Sequence, residues 1–270
     1  MQILDIVKAV PAGNITIFVL NGGGLDAAER ARAAEIILGD KELRAEQAGF
    51  VYAPESEKGL WRLTMMGGEF CGNAARAFGL FVAREKGLRG RRKFTVEVSG
   101  APRPVAVDVD CENGTAAAAI PPPETGGTLV FDDKTLPVYR FGGISHVIAE
   151  DTAPDRITFF KIKTLFEARL GKTDALGVMF YDTEKKIMRP AVYVYATKTL
   201  VFESSCGSGT AAFACYSFEK MNSKDTVVPV KQPGGVITAR TATEEGLRKH
   251  IWIDGAVTLS EPANFIRSGV

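Results

Sequence analysis

Apolar residues along the chain fall into short runs, alternating or continuous, separated by glycine and polar clusters; only a few segments keep helical spacing. Ile15-Thr16-Ile17-Phe18-Val19-Leu20 has the length and β-branched content of a buried strand, and Asn21-Gly22-Gly23-Gly24 the content of a turn. Asp26 to Leu38 carries Ala, Glu and Arg at amphipathic spacing, with Asp26 placed to cap a helix and Gly39 to end it. Short strands are expected at Gly49 to Tyr52 and Trp61 to Met65, and a helix from Asn73 to Lys86, stopped by Gly87. Strand-like stretches follow at Phe94 to Val98, Arg103 to Val109 and Thr115 to Ile120. Pro121-Pro122-Pro123-Glu124 then breaks regular structure and marks an internal boundary.

The second half repeats this programme. Val138 to Phe141 leads into a turn at Gly142-Gly143 and a strand to Ala149, and Lys161 to Leu170 has helical spacing. Gly177 to Tyr181 and Ala191 to Tyr195 read as strands. A helix is expected from Ser208 or Gly209 to Met221, and closing strands at His250 to Ile253 and Ala256 to Leu259. Aligning Cys71 with Cys206, 135 residues apart, matches Gly72 to Gly207, Asn73 to Ser208, Ala77 to Ala212 and Phe78 to Phe213 without a gap. Gly13-Asn14 and Gly143-Ile144 match at the nearby offset of 130. A duplication of this period predicts an α+β fold of two pseudo-symmetric lobes. The N-terminal lobe would cover 1–118, rejoined by about the last ten residues, and the C-terminal lobe 119–260. Equivalent helix starts would then face one cleft, where ligand pockets concentrate.

Composition narrows the function classes. With 46% apolar and 24% charged residues and a formal net charge of +1, bulk charge gives no reason to expect nucleic acid as a partner. The one basic cluster, Arg89-Gly90-Arg91-Arg92-Lys93, reads as a solvated turn. No apolar run reaches bilayer length, so no membrane partner is expected, and the N-terminal stretch lacks a signal-peptide pattern; a cytoplasmic protein is the default. The four cysteines form no Cys-x-x-Cys pair and only two histidines exist, so no metal site is expected and the thiols read as free. Cys111 and Cys215 read as small buried hydrophobes, Cys215 lying within the second helix beside Phe213 and Tyr216. No cofactor is expected: no lysine has a recognisable pyridoxal-phosphate setting, and no Gly-x-Gly-x-x-Gly follows a strand.

Cys71 and Cys206 remain. A helix start exposes unpaired N–H groups and the positive end of the helix dipole, so it receives a carboxylate and favours thiolate over thiol. Gly72 and Gly207 allow close backbone approach, and Asn73 and Ser208 can cap the helix or donate to a ligand. Two such mouths facing one ligand would hold its carboxylate with a sulfur on each side of the adjacent carbon. One thiolate then removes a proton while the opposite thiol supplies one.

These residues resemble the diaminopimelate epimerase superfamily of pyridoxal-phosphate-independent amino-acid racemases and epimerases. The resemblance spans the chain: Ala12-Gly13-Asn14, Glu46-Gln47-Ala48-Gly49-Phe50, Phe70-Cys71-Gly72-Asn73-Ala74-Ala75-Arg76, Ser145-His146-Val147, Ser205-Cys206-Gly207-Ser208-Gly209-Thr210 and Gly255-Ala256-Val257. It implies two similar lobes, each a mixed sheet wrapped around a central helix, an active site between them, and a homodimer. It also implies Cys71 and Cys206 as catalytic bases, a carboxylate cradle of Gly72, Asn73, Gly207 and Ser208, and Asn14 and Gln47 in the pocket wall. The polar residues that hold the distal end of diaminopimelate in that family are replaced at Ile144-Ser145-His146, Gly177 to Phe180 and Ala196-Thr197-Lys198, which disfavours diaminopimelate as substrate. Met65-Met66-Gly67-Gly68-Glu69-Phe70-Cys71 and Glu46-Gln47 are similar to the branch that racemises histidine for opine-type metallophores. There Glu46 would pair with an imidazolium; as a strand-end carboxylate it would merely face solvent. Glu69 and Glu203 either tune the helix mouths or face solvent. Three alternatives stay open: a diaminopimelate epimerase, an isomerase or dehydratase of a small carboxylic acid or hydroxyproline, and a thiol-containing amino-acid-binding protein.

Overall fold

The computed structural model describes residues 2–56, 59–195, 198–221, 227–244 and 247–267. In chain order the first elements are β1 (Gln2–Pro11), β2 (Thr16–Val19), α1 (Ala27–Gly39), β3 (Gln47–Tyr52), β4 (Arg62–Met65), α2 (Gly72–Glu85), β5 (Arg91–Val98), β6 (Val105–Asp110) and β7 (Thr115–Ile120). They are followed by β8 (Glu124–Phe131), β9 (Lys134–Arg140), β10 (Ile144–Glu150), α3 (Arg156–Leu170), β11 (Ala175–Asp182), β12 (Ile187–Val194) and β13 (Thr199–Phe202). The chain closes with α4 (Gly207–Met221), β14 (Val227–Gln232), β15 (Gly235–Glu244), β16 (Leu247–Leu259) and β17 (Ala263–Arg267). The fold is mixed α+β, dominated by strands. Contacts divide it into two compact units, Met1–Ala119 with Asp254–Val270, and Ile120–Ile253.

In the first unit β1 pairs antiparallel with β2, β16 and β17, β2 runs parallel to β3, and β3 turns back antiparallel along β4. Helix α1 makes the crossover between β2 and β3. Asp26 caps it in a full capping box: its side chain accepts from Glu29 N–H, and Glu29 returns a bond to the Asp26 N–H. Helix α2 is different in kind. Every residue from Gly72 to Ala83 is buried, so it has no polar face. Its small residues let strands approach closely: a side chain at Gly79 would meet Val107 Cβ at 2.9 Å. Its large residues form the core, with Phe78 and Phe81 stacked at 5.9 Å and both meeting Phe18 edge-on.

The second unit runs the same course. β9 pairs antiparallel with β10, β10 runs parallel to β11 with α3 between them in sequence, and β11 pairs antiparallel with β12. Helix α4, equivalent to α2, is buried from Gly209 to Cys215. The turns that open the two programmes also match, Gly13 at φ 80° and Gly143 at φ 84°, a left-handed conformation that favours glycine.

Several elements depart from the sequence reading. β1, β8, β13, β14, β15 and β17 were not specifically expected, and β9 starts at Lys134 rather than Val138. Helix α3 starts at Arg156, capped by Asp155, five residues before the expected point; exposed Ile157 and Phe160 blur its apolar period. The basic cluster is not simply a turn: Arg91, Arg92 and Lys93 belong to β5, where Arg91 forms a two-pronged pair with Asp108 at 2.8 Å. Cys111 is half-buried rather than buried. The two expected closing strands are one, β16, because Gly255 continues the extended chain.

The segment entering α2 is held by Ser99, whose Oγ accepts from Met65 N–H and donates to the Glu69 carbonyl. Next to it, Gly100 at φ 72° packs against this segment so closely that a Cβ would collide with Phe70 N and lie 2.7 Å from the Glu69 carbonyl carbon. Gly100→Ala should therefore destabilise the fold by about 2 kcal/mol through backbone strain and overlap. Urea unfolding measures it; a change under about 0.5 kcal/mol would contradict this packing.

Candidate active site

Cys71 is the N-cap of α2, with extended backbone at φ −123° and ψ 113°. Its sulfur accepts from Ala74 N–H at 3.4 Å, the bond that Ser or Asp makes at most helix starts. The thiol donates to Gln47 Oε1 at 3.1 Å. Gln47 suits either protonation state, because its amide, turned over, donates Nε2–H to a thiolate instead. The residue before Gln47 completes a second contact: Asn14, buried on the turn before β2, donates from Nδ2 to Glu46 Oε2 at 2.7 Å.

Beneath this helix start lies Arg76, fully buried. Its Nε donates to Asn73 Oδ1 at 3.2 Å, and Nη1 to the Gly255 and Ala256 carbonyls at 2.9 and 3.2 Å. Burial lowers its pKa to about 10, with Asp254 and Cys71 as the anionic groups that oppose the shift. A buried cation so placed favours negative charge on Cys71 and ties the first turn of α2 to β16.

In the second unit Cys206 immediately precedes Gly207, the first residue of α4. Its sulfur accepts from Gly209 N–H, again three residues on and again at 3.4 Å. Ser208 Oγ lies 3.7 Å from that sulfur and 2.8 Å from His146 Nε2. Gln232 locks the approach: its Oε1 accepts from Cys206 N–H at 2.8 Å, while Nε2 donates to Thr210 Oγ1 at 2.9 Å. Thr210 in turn donates to the Cys206 carbonyl at 2.7 Å. Met179 covers the first turn, lying where a side chain at Gly209 would be.

The sequence-derived set thus resolves into two clusters. Asn14, Glu46, Gln47, Cys71, Gly72 and Asn73 gather in the first, and Cys206, Gly207 and Ser208 in the second. Some details are corrected. Neither Asn73 nor Ser208 caps its helix; the cysteine sulfurs do, because the cap position is the residue before the first helical glycine. The dipole argument for a thiolate does not decide Cys206, since burial, with help from the Glu203 carboxylate, pushes its thiol well above the ordinary value and outweighs the Gly209 N–H. Of the two carboxylates, Glu203 is the one whose charge acts on its cysteine. Glu69 is exposed and accepts from Gly67 N–H within its own turn. Arg76, His146 and Gln232 escaped the sequence reading as site residues. Arg76 and His146 both lie in motifs that carry the resemblance, and Arg76 also stands at helical i,i+3 spacing from Asn73; Gln232 had no local signal. Ala196 and Thr197, in the place of a polar pair in diaminopimelate epimerases, lie outside the described residues.

Residues 3–263 match the family model of the histidine racemase CntK N-terminal domain. A histidine racemase of Fusobacterium nucleatum subsp. nucleatum is 34% identical over 266 residues, covering 96% of this chain and 95% of that protein. The chain belongs to the histidine racemase family. A histidine racemase of Staphylococcus aureus is 28% identical, covering 95% of both chains. As a member of the histidine racemase family, the protein is an isomerase of the racemase and epimerase class. The solved structure of a predicted epimerase from Pseudomonas aeruginosa superposes with a TM-score of 0.72 at 15% identity, covering 98% of this chain and all of that one, which establishes a shared fold. Among the described residues, no helix of this histidine racemase family member is long and apolar enough to cross a membrane.

The raised Cys206 pKa has a consequence for stability. The folded chain holds this proton more tightly than the unfolded chain, whose thiol titrates near 9.0. The resulting stabilisation is complete below that pH and is lost as pH rises towards the folded value. Between about pH 8.5 and 10.5, wild-type unfolding free energy should fall more steeply than that of Cys206→Ala, by up to about 1.4 kcal/mol per pH unit. Parallel curves in pH-dependent urea unfolding would contradict a tightly held thiol.

Proposed function

We propose that the protein interconverts L- and D-histidine without a cofactor, using Cys71 and Cys206 as acid and base on opposite faces of the α-carbon. The observation that carries this reading is the repeated contact, a cysteine sulfur 3.4 Å from the third amide of a buried helix in each of two similarly built units, in a chain of the histidine racemase family. In one direction the Cys71 thiolate takes the α-proton and the electron pair passes towards the carboxylate. Cys206 then delivers its proton to the other face, leaving the thiol and thiolate exchanged. Helix N–H groups at Gly72, Asn73, Gly207 and Ser208 stabilise the charge that grows on the carboxylate. Cys71 rests as the base, favoured by buried Arg76; Cys206 rests as the acid, favoured by burial and Glu203.

The side-chain reading rests on Glu46. Asn14 holds one of its oxygens, which orients the carboxylate towards an imidazole. Diaminopimelate would need polar partners where Gly177 and Met179 instead pack against His146 and the start of α4. We further propose that the two units are lobes derived by duplication, the first rejoined by the C-terminal segment, and we propose a homodimer, a cytoplasmic location, and a D-histidine product that feeds metallophore synthesis.

Incubating the protein with a panel of L-amino acids in deuterated water tests this, with the Cα proton followed by NMR and the enantiomers by chiral chromatography. Histidine should lose its α-proton signal as the D-isomer appears, and Cys71→Ser and Cys206→Ser should each lower the rate at least about 100-fold. Exchange in no amino acid, or full activity in either variant, would sink the proposal.

A further inference from the structure

The mechanism above gives no role to His146, yet this side chain is fully buried and reaches the start of α4. It sits on β10 opposite Gly177 of β11. A side chain at Gly177 would overlap His146 Nδ1 and lie 2.8 Å from Cε1, so the glycine is what admits the ring. Phe141 packs edge-on to it with centroids 5.6 Å apart. On its far side, Nε2 meets Ser208 Oγ at 2.8 Å, while Nδ1 is buried without a hydrogen-bond partner among the described residues.

Burial lowers the His146 pKa to about 3, so the ring is neutral wherever the enzyme works and one nitrogen carries the proton. A proton on Nδ1 would leave a buried N–H with no acceptor, whereas a proton on Nε2 leaves only an unused lone pair. Orphaned buried N–H groups are the rarer defect, so the Nε2–H form is favoured. Nε2–H then donates to Ser208 Oγ, and the Ser208 proton must point elsewhere, to Cys206 Sγ or to an anion at the helix mouth.

We propose that His146 is a positioning residue: by donating to Ser208 it fixes that hydroxyl as a hydrogen-bond donor to the anionic group held at the start of α4. This rests on the reading of Ser208 as part of the carboxylate cradle. The first unit solves the same problem with different chemistry. Arg76 can only donate, so Asn73 turns its oxygen to Arg76 and its NH2 end away. At both equivalent positions a buried nitrogen group sets the polarity of the residue after Cys-Gly.

Two experiments test the proposal. With 15N-histidine label in His250→Gln, which replaces an exposed residue, His146 is the one labelled imidazole. Long-range proton–nitrogen correlation should show a neutral ring protonated at Nε2 across about pH 6 to 9. A ring protonated at Nδ1, or an imidazolium in that range, overturns the proposal, and this readout does not depend on which amino acid is the substrate. In racemase assays His146→Phe should lower kcat/KM roughly tenfold, chiefly through KM, and His146→Gln, whose amide reaches as Nε2 does, should recover much of the loss. In a Ser208→Ala background, His146→Phe should cost less than about twofold more. Equal losses in both backgrounds mean a merely structural histidine and overturn the proposal alone. A silent Ser208→Ala overturns both it and the cradle reading.

Discussion

A sulfur replaces the usual oxygen at two helix starts, each 3.4 Å from the amide three residues on. This contact makes opposing demands. As a cap, the sulfur must be fixed and dehydrated enough to satisfy a buried amide; in the acid–base role proposed for it, it must exchange a proton. Sulfur tolerates both roles better than oxygen, because its hydrogen bonds are weak and its ordinary pKa lies within reach of neutrality. Most of the surrounding architecture serves to hold this arrangement.

The two helices that carry the caps are buried along most of their length, so their positions are set by core packing rather than by loops. Burial alone would leave the terminal polar groups unpaired. In the first unit Arg76 stitches Asn73 to the carbonyls of β16, and in the second Gln232 satisfies the Cys206 amide and Thr210 together. These supports place opposite electrostatic influences on the two thiols. A buried guanidinium lies under Cys71, while a carboxylate and a dry environment surround Cys206. The proposed two-base mechanism needs its thiols in different protonation states at any instant, and these contrasting surroundings support that reading.

How much of this was legible in the sequence depended on how local the signal is. The paired Cys-Gly motifs, the Asp26 cap and the left-handed glycines before β2 and β10 are short-range features, and they located the helices and both thiols. Strands rich in threonine and glycine, such as β8, carry little apolar alternation and were overlooked. Two closing strands were expected where Asp254 and Gly255 simply continue one extended chain. Gln232 stands 26 residues beyond Cys206 and nothing in its own neighbourhood marks it; His146 lies in a motif that carries the resemblance, but its partner Ser208 is 62 residues away, so its contact was not readable. Their importance exists only after the strands of the second unit have paired. The raised pKa of Cys206 was also invisible, because the dipole of a helix start is readable from sequence while the depth of burial that opposes it is not.

The central claim is that two different groups serve the two faces of the α-carbon, and isotope flow in a single progress curve tests it most directly. In deuterated water, protiated L-histidine should give D-histidine carrying solvent deuterium while the remaining L-histidine keeps its protium early in the reaction. Optical rotation should then overshoot zero, because deuterated product returns more slowly. If the remaining L-histidine picks up deuterium as fast as D-histidine forms, one group is serving both faces and the two-cysteine account is contradicted.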